Sequence, residues 1–520
     1  MKNTVKYLLI AAFGALTLSS CEKFLEVNPR TQVSEAEYFK TEEEMMKGLY
    51  NVLWELKHRL LELRDQTCIL SDEASTGGGL GEGQWKLKWD TFTYGPTNCF
   101  GEWGYGSWWN EWDFGIYNGV VAANILVDKL EASSLPEGSV KPILAEAKFY
   151  RALFYNYLWM GYEEIPLLKG ILKAEDMYTV AKGTRDEVFN FMMEDLSDEN
   201  IAALPARANT PQGRACADAA LILRAKIILF HRSEANYPKA LADMKGIITS
   251  HRYSLDPDFS HLWLKDGEWG SENIFNVSAS STNGEGMGFV HGLGGRNLSD
   301  PRSAAQGGLL EGYGQCTIEQ PVYDMFEAGD KRREGTIIVY ADEAAKVAAM
   351  VASGELPAGS TFSVSSEQEN YAGYGHFKYA PRKESTGAID PQNNHGTPFR
   401  FYRYADVLLL GTELAVRTGS VDTEAQGWFN DVRDRAFGDK NHRINLGSMS
   451  KEAALDVIFK ERGYEFYDEM QRWFDIMRFD KGTEILGRKG WTEKYRYFPI
   501  DQGEIDRSNG NLTQNPGWAN

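Results

Sequence analysis

The sequence predicts a mostly α-helical protein: a scaffold of stacked helical hairpins that carries one loop-rich insertion with short strands. Three observations support that class. Apolar residues recur at helical spacing through 41–63, 110–131, 141–160, 184–203, 215–231, 237–250, 402–419, 422–437 and 451–479, in pairs with short breaks between them. Between 251 and 399 the periodicity gives way to Gly, Ser, Asn and isolated aromatics, with strand-like runs at Ile274–Val277 and Thr336–Tyr340. The 520 residues are 42% apolar and 25% charged, a globular balance that excludes a disordered or fibrous chain.

At the N-terminus, Lys2 and Lys6 flank the start of a short apolar run from Tyr7 to Leu18. A helix needs about 20 residues to span a bilayer core, so residues 1–20 read as a signal peptide and not as a span. The run ends in Leu18-Ser19-Ser20-Cys21, which resembles the bacterial lipobox, and Cys21 is the expected site of lipid attachment. Several acyl chains, at about 0.8 kcal/mol per buried methylene, would hold the chain durably on a membrane. Residues 21–40 are then a lipidated end and tether. Thr41-Glu42-Glu43-Glu44 has the form of a capping box with acids in the first turn, and it opens a helical scaffold over 41–250. Within it, 75–109 is a long aromatic loop. Within Ala145–Trp159, residues Ala147, Ala152, Tyr155 and Leu158 would let a neighbouring helix approach closely, and Tyr237-Pro238-Lys239-Ala240 starts a helix as tetratricopeptide units do. Residues 251–399 form the insertion, where a ligand would bind, and 400–520 complete the scaffold with helices and a turn-rich tail.

Composition and motifs remove most catalytic classes. With 55 basic against 74 acidic residues the net charge is -19, which repels nucleic acid at long range. The five cysteines (Cys21, Cys68, Cys99, Cys216, Cys316) show no CxxC spacing. The eight histidines are scattered, with no HExxH, and neither a phosphate-cradling GxxxxGK[ST] nor a GxSxG elbow occurs. The run Gly77–Gly83 reads as a flexible loop. Adjacent acids such as Glu163-Glu164 are expected by chance among 74, and no acid sits in a setting that implies a raised pKa. The expectation is a protein that is not an enzyme and holds no cofactor or metal.

What remains is aromatic. Trp85, Trp89, Trp103, Trp108, Trp109 and Trp112 crowd one Gly-rich stretch. Trp112 and Tyr117 open a helix and are expected in the core. Trp85, Trp89 and Trp103 would need indole partners and much loop ordering to be buried, and exposed they could stack on the C–H faces of sugar rings. Such sites also need polar side chains for the hydroxyls. Residues 283–313 supply Asn283, Phe289, His291, Arg296 and Tyr313. The candidate ligand contacts are therefore Trp85, Trp89, Trp103, Phe289, Arg296 and Tyr313.

The C-terminal third carries a resemblance. Phe401–Leu410, Trp428–Ala436, Glu461–Asp475, Tyr497–Ile500 and Asn511–Trp518, preceded by Glu146–Pro166 and Phe326–Arg332, resemble the SusD/RagB family in content and order. The resemblance implies an outward-facing lipoprotein of the outer membrane with a tetratricopeptide-like helical scaffold. It implies capture of oligosaccharides, or sometimes peptides, by a lid on a SusC-like TonB-dependent transporter barrel, without catalysis. It also implies that the binding arc is built from loops corresponding here to 75–109 and 280–320. A peptide receptor of the same architecture and a protein-binding scaffold are the alternatives. Glu461-Arg462 and Arg472-Trp473 are expected to tie helices together in the interior and not to touch ligand.

Overall fold

The computed structural model describes residues 38–60, 63–99, 115–173, 175–176, 179–282, 286–387 and 394–518. The N-terminal helices are α1 (Glu42–Glu55), α2 (Leu63–Leu70), α3 (Gln84–Asp90), α4 (Tyr117–Glu131), α5 (Glu137–Tyr162), α6 (Arg185–Asp195), α7 (Asp198–Ala203), α8 (Ala217–His231) and α9 (Tyr237–Thr249). The insertion holds α10 (Gly288–Leu293) and α11 (Tyr340–Ser353). It is followed by α12 (Tyr404–Thr418), α13 (Thr423–Phe437), α14 (Lys451–Glu465) and α15 (Arg472–Arg478). Of the eight short strands among the described residues, six frame the insertion and the loop that meets it: β1 (Ser75–Gly77), β2 (Asn273–Val277), β3 (Gln315–Thr317), β4 (Ile337–Val339), β5 (Tyr374–His376) and β6 (Phe399–Arg403). Among the described residues the strands form only two-stranded ribbons, so the protein is mostly helical, as its sequence predicts.

Local signals set the helix ends. Glu44 N–H donates to Thr41 Oγ1 at 3.2 Å while Thr41 N–H donates to Glu44 Oε2 at 3.0 Å, which closes the capping box at α1. Consecutive helices pair as α4 with α5, α8 with α9 and α12 with α13, and α9 packs on α12 to join the two halves. The crossing of α4 and α5 needs Gly119, because a Cβ there would lie 2.4 Å from the Phe154 ring. From Ala145 to Tyr162 nearly every residue of α5 is buried, which makes it the central rod of the core.

The two ends of the insertion meet. Strands β2 and β6 pair antiparallel, with Asn273 opposite Arg403 and Val277 opposite Phe399, and all their residues are buried. Around this ribbon lies a buried ionic lattice. Arg403 donates to Glu465 at 2.8 Å and Glu469 at 2.8 Å and also reaches Glu272. Arg332 pairs with Asp330 at 2.7 Å, Glu461 at 2.8 Å and Glu465 at 3.1 Å. Charges removed from water are tolerable only when paired in this way. Arg462 bonds Asp475 at 2.8 Å, Arg472 bonds Asp72 at 2.7 Å and Trp473 is buried, so these residues are interior ties, as expected.

Three local expectations change. The helical stretch 451–479 breaks between α14 and α15, where Asp468 (φ +63°) and Met470 (φ +55°) turn the chain. The break is fixed by tertiary partners: Asp468 N–H donates to Glu73 Oε1 at 2.9 Å, and its carboxylate meets Arg64 and His376. The strand expected through Tyr340 stops at Val339, because the alanine-rich run that follows favours α11. The loop after β1 also contains α3.

Candidate functional site

The first loop and the insertion meet in a ribbon. Strand β1 pairs antiparallel with β3, Ser75 opposite Thr317 and Gly77 opposite Gln315. The chain between β1 and α3 is pinned further: Gly78 N–H donates to Gly314 O at 2.7 Å, Glu369 N–H to Gly78 O at 2.9 Å and Gly81 N–H to Glu369 Oε1 at 2.9 Å. The glycines read as a flexible loop do a different job. Gly77 sits at φ +64°, and a Cβ on it would lie 2.4 Å from Thr317 Oγ1, so only glycine admits the pairing.

Two charged contacts tie side chains across the same junction. Arg296 donates to both Glu82 carboxylate oxygens, at 2.8 and 2.7 Å, a bidentate geometry that fixes orientation. Lys86 Nζ bridges Asp65 Oδ2 and Gln315 Oε1, each at 2.8 Å. Burial pushes the Asp65 carboxyl up, but Lys86 and Arg64 beside it outweigh that and hold it below the usual carboxylate range. Lys86 is buried and its charge is committed to this bridge, while Arg296 keeps about a quarter of its side chain open to solvent.

The candidate residues separate here. Tyr313 is 46% exposed and rests edge-on against His291, ring centroids 4.4 Å apart. Trp85 is half-buried, with Lys86 Nζ 5.0 Å from its ring and the edge of Trp89 at 5.6 Å. With Arg296, these two sit around the β1–β3 junction. Trp89 is a correction: it is 1% exposed, and its indole N–H donates to Cys99 O at 3.3 Å, so the fold finds the partner that burial requires. Phe289 is half-buried, as Trp85 is, and its ring packs edge-on to Tyr379 and Phe399, with the Arg64 guanidinium 5.6 Å away. His291 is buried. Trp103, Asn283, Trp108, Trp109, Trp112 and Cys21 lie outside the described residues. Tyr117 is in the core, its hydroxyl donating to Pro166 O at 2.7 Å.

Sequence reasoning missed Glu82, Gln315, Gln368 and Glu369, the polar groups of the junction. Nothing local distinguishes them from other acids and amides; only the pairing of distant segments does. It also missed acids with raised pKa, Glu73 and Glu268 among them. Burial, with Asp468 nearby, pushes the Glu73 carboxyl up to about 8, and burial pushes Glu268 up to about 7. Glu73 belongs to the interior around Asp468. The junction as a whole offers two aromatic faces beside an Arg–Glu pair, an arrangement that can hold a polyhydroxylated ring.

Comparison with known proteins gives the family. Residues 313–491 match the description "SusD family", and residues 83–229 match "Starch-binding associating with outer membrane". The chain belongs to the SusD/RagB family. Among SusD-like relatives, protein P2 of Formosa agariphila is 24% identical over 552 aligned residues, covering 99% of this chain and 100% of the relative. Surface glycan-binding protein A from Bacteroides fluxus superposes with a TM-score of 0.76 at 24% identity, over 92% of this chain and 100% of that one. Its namesake from Bacteroides thetaiotaomicron, solved in complex with laminarihexaose, gives 0.76 at 23% identity over 91% and 99%. These likenesses establish the SusD-like fold.

Proposed function

We propose that this SusD-like protein captures an oligosaccharide at the cell surface and delivers it to a TonB-dependent transporter barrel in the outer membrane. It does so without breaking a bond. Lipidation at Cys21 would keep it on the outward face. Trp85 and Tyr313 would stack against sugar rings, and Arg296, oriented by Glu82, would donate to hydroxyls. The observation that carries the reading is the β1–β3 ribbon, which puts aromatics from two distant loops at one polar junction. The glycan-binding names of its structural neighbours support the ligand class.

Affinity should be modest, because stacking on hydrated sugars returns little net free energy after ordering costs. That suits a receptor that must release its cargo. The test is calorimetric titration of the chain from Glu22 onward with a panel of oligosaccharides that includes laminarihexaose. Binding weakened about tenfold or more in Trp85→Ala and in Tyr313→Ala, with unchanged thermal unfolding, supports the site. Absence of binding across the panel, together with binding of peptides, would replace the sugar by a peptide. Chromatography of the sugars after long incubation should return them intact, and shortened products would overturn the non-catalytic reading. Pull-down with the lipidated chain should recover a barrel protein.

A further inference from the structure

The ends of β4 and β5, the start of α11 and the segment 362–374 border an open cavity of about 380 Å³. Its walls are largely aromatic: Tyr340, Phe362, Tyr371 and Tyr374, joined by Ser363 and Val364. The rings of Tyr340 and Tyr371 lie parallel, 9° apart with centroids at 6.5 Å, and Tyr371 is half-buried. Tyr374 is locked in place, stacked on Tyr323 at 4.9 Å and donating its hydroxyl to Gln320 Oε1 at 2.7 Å. The backbone around the cavity is fixed as well. Val339 pairs with Tyr374, Tyr340 N–H donates to Gly373 O at 3.0 Å, and Ser299 and Ser363 exchange hydrogen bonds of 2.8 and 3.0 Å. Gly375 makes room for Tyr340, since a Cβ there would lie 2.4 Å from its hydroxyl. Tyr340, Val347 and Phe362 belong to a small core separate from the main one, and this core supports the cavity.

The lining selects a chemistry. Among the described residues none that lines the cavity is charged, so an ionised guest would lose hydration there without gaining a partner. The rim mixes aromatic faces with the hydroxyls of Tyr371 and Ser363, and the volume falls within the roughly 300–1,000 Å³ of small-molecule sites. A neutral pyranose matches both features, because its C–H face stacks on a ring while its hydroxyls exchange hydrogen bonds with hydroxyls. We propose that this cavity is a second sugar-binding site, separate from the β1–β3 junction, which takes one neutral pyranose unit on the face of Tyr371. The assignment rests on the carbohydrate reading of the ligand class above. The two sites share a wall. Ser365 N–H donates to Arg296 O at 2.9 Å, and Val364 lies against Gly295, whose Cβ would sit 2.9 Å from Val364 Cγ2. A glycan long enough to engage both would dissociate more slowly than from either alone, because each contact raises the local concentration for the other.

The experiment uses the full chain in a detergent without a sugar headgroup. Its probes are laminarihexaose, maltohexaose and cellohexaose, each carrying a photoreactive diazirine at the reducing end. After illumination and digestion, labelled peptides are read by mass spectrometry, with and without excess unmodified sugar. The expected result, with at least one probe, is label on peptides from 339–344 or 362–374 in addition to those bearing Trp85 or Tyr313. Excess unmodified sugar should suppress both. Ala344 lines the cavity, so Ala344→Trp should fill it, remove the first label and keep the second. Tyr371→Ala should require about tenfold more probe for the same cavity label. Label at the junction alone overturns the second site and leaves the proposed function standing. Label at the cavity alone keeps the second site and overturns the junction. Absence of any competed label overturns both. Cavity label that survives Ala344→Trp, or that an apolar tripeptide suppresses and the sugars do not, overturns the assignment of the cavity to sugar. Should Ala344→Trp fail to fold, competition on the unaltered chain still decides.

Discussion

Trp85 and Trp89, one helical turn apart, differ in their access to solvent. Trp89 fills core, so Trp89→Ala should cost about 3–5 kcal/mol of stability, read as a lower denaturation midpoint, through the cavity left behind. Trp85 and Tyr313 keep faces near solvent, so their alanine variants should leave the midpoint almost unchanged. Each should weaken oligosaccharide binding by about tenfold or more, which corresponds to about 1.4 kcal/mol of lost stacking. Glu73 gives a pH prediction. Its carboxyl is raised from 4.5 to about 8 in the folded state, so the native protein keeps a proton that the unfolded chain has released. That contribution to stability is complete below about pH 4.5 and is lost as pH rises through about 8. Glu73→Gln retains an acceptor for the Asp468 amide and removes the titration. Melting temperatures recorded from pH 5 to 9 should converge less and less in favour of the wild type, the variant gaining relative stability toward pH 9; parallel curves would show that Glu73 does not titrate there.

Among elements, the β1–β3 ribbon is the one on which the proposed binding arc depends. Ribbons this short are marginal alone, and this one stands because α2 and the Gly78–Glu369 bonds flank it. Gly77→Ala adds both a steric clash with Thr317 and left-handed strain, whereas Gly81→Ala adds the strain alone, since nothing lies within 4 Å of its Cβ position. Gly77→Ala should therefore be the more destabilising of the two, by about 1–3 kcal/mol, and should weaken sugar binding along with it. Glu82 keeps more than half of its side chain open to water, so Glu82→Gln should shift stability by no more than about 1 kcal/mol. A measurable fall in affinity without a change in melting would identify its role as aiming Arg296.

At the scale of the whole molecule, the buried lattice around Arg403 joins α14, the ribbon of β2 with β6 and the segment before α15. Arg403→Met removes one cation and leaves Glu272, Glu465 and Glu469 short of a partner in the interior. A loss of about 3–5 kcal/mol is expected. Because the lattice ties both ends of the insertion to the C-terminal helices, and α9 packs those helices on the N-terminal ones, calorimetry should show the whole unfolding transition moving down in temperature, with no separate melting of one half. The proposed oligosaccharide site lies on loops outside this lattice, so below the new melting temperature the variant should still bind.

Much of the architecture was written in local periodicity. The pairing of Ala-rich helices, the capping box at Thr41 and the inward role of Arg462 and Trp473 could be read directly, because spacing along a helix decides which side chains share a face. The family resemblance was legible for the same reason: its motifs are mostly interior ties in a fixed order. The site was legible only as a set of residue types. That Trp85 and Tyr313 share a junction while Trp89 joins the core, and that Gly77 is a required turn and not a flexible one, depended on how segments far apart in the chain pack. Burial and hydrogen-bond partners are properties of that packing. Helical periodicity therefore determined the scaffold, and the closing of distant loops against it decided which aromatic faces were left for a ligand.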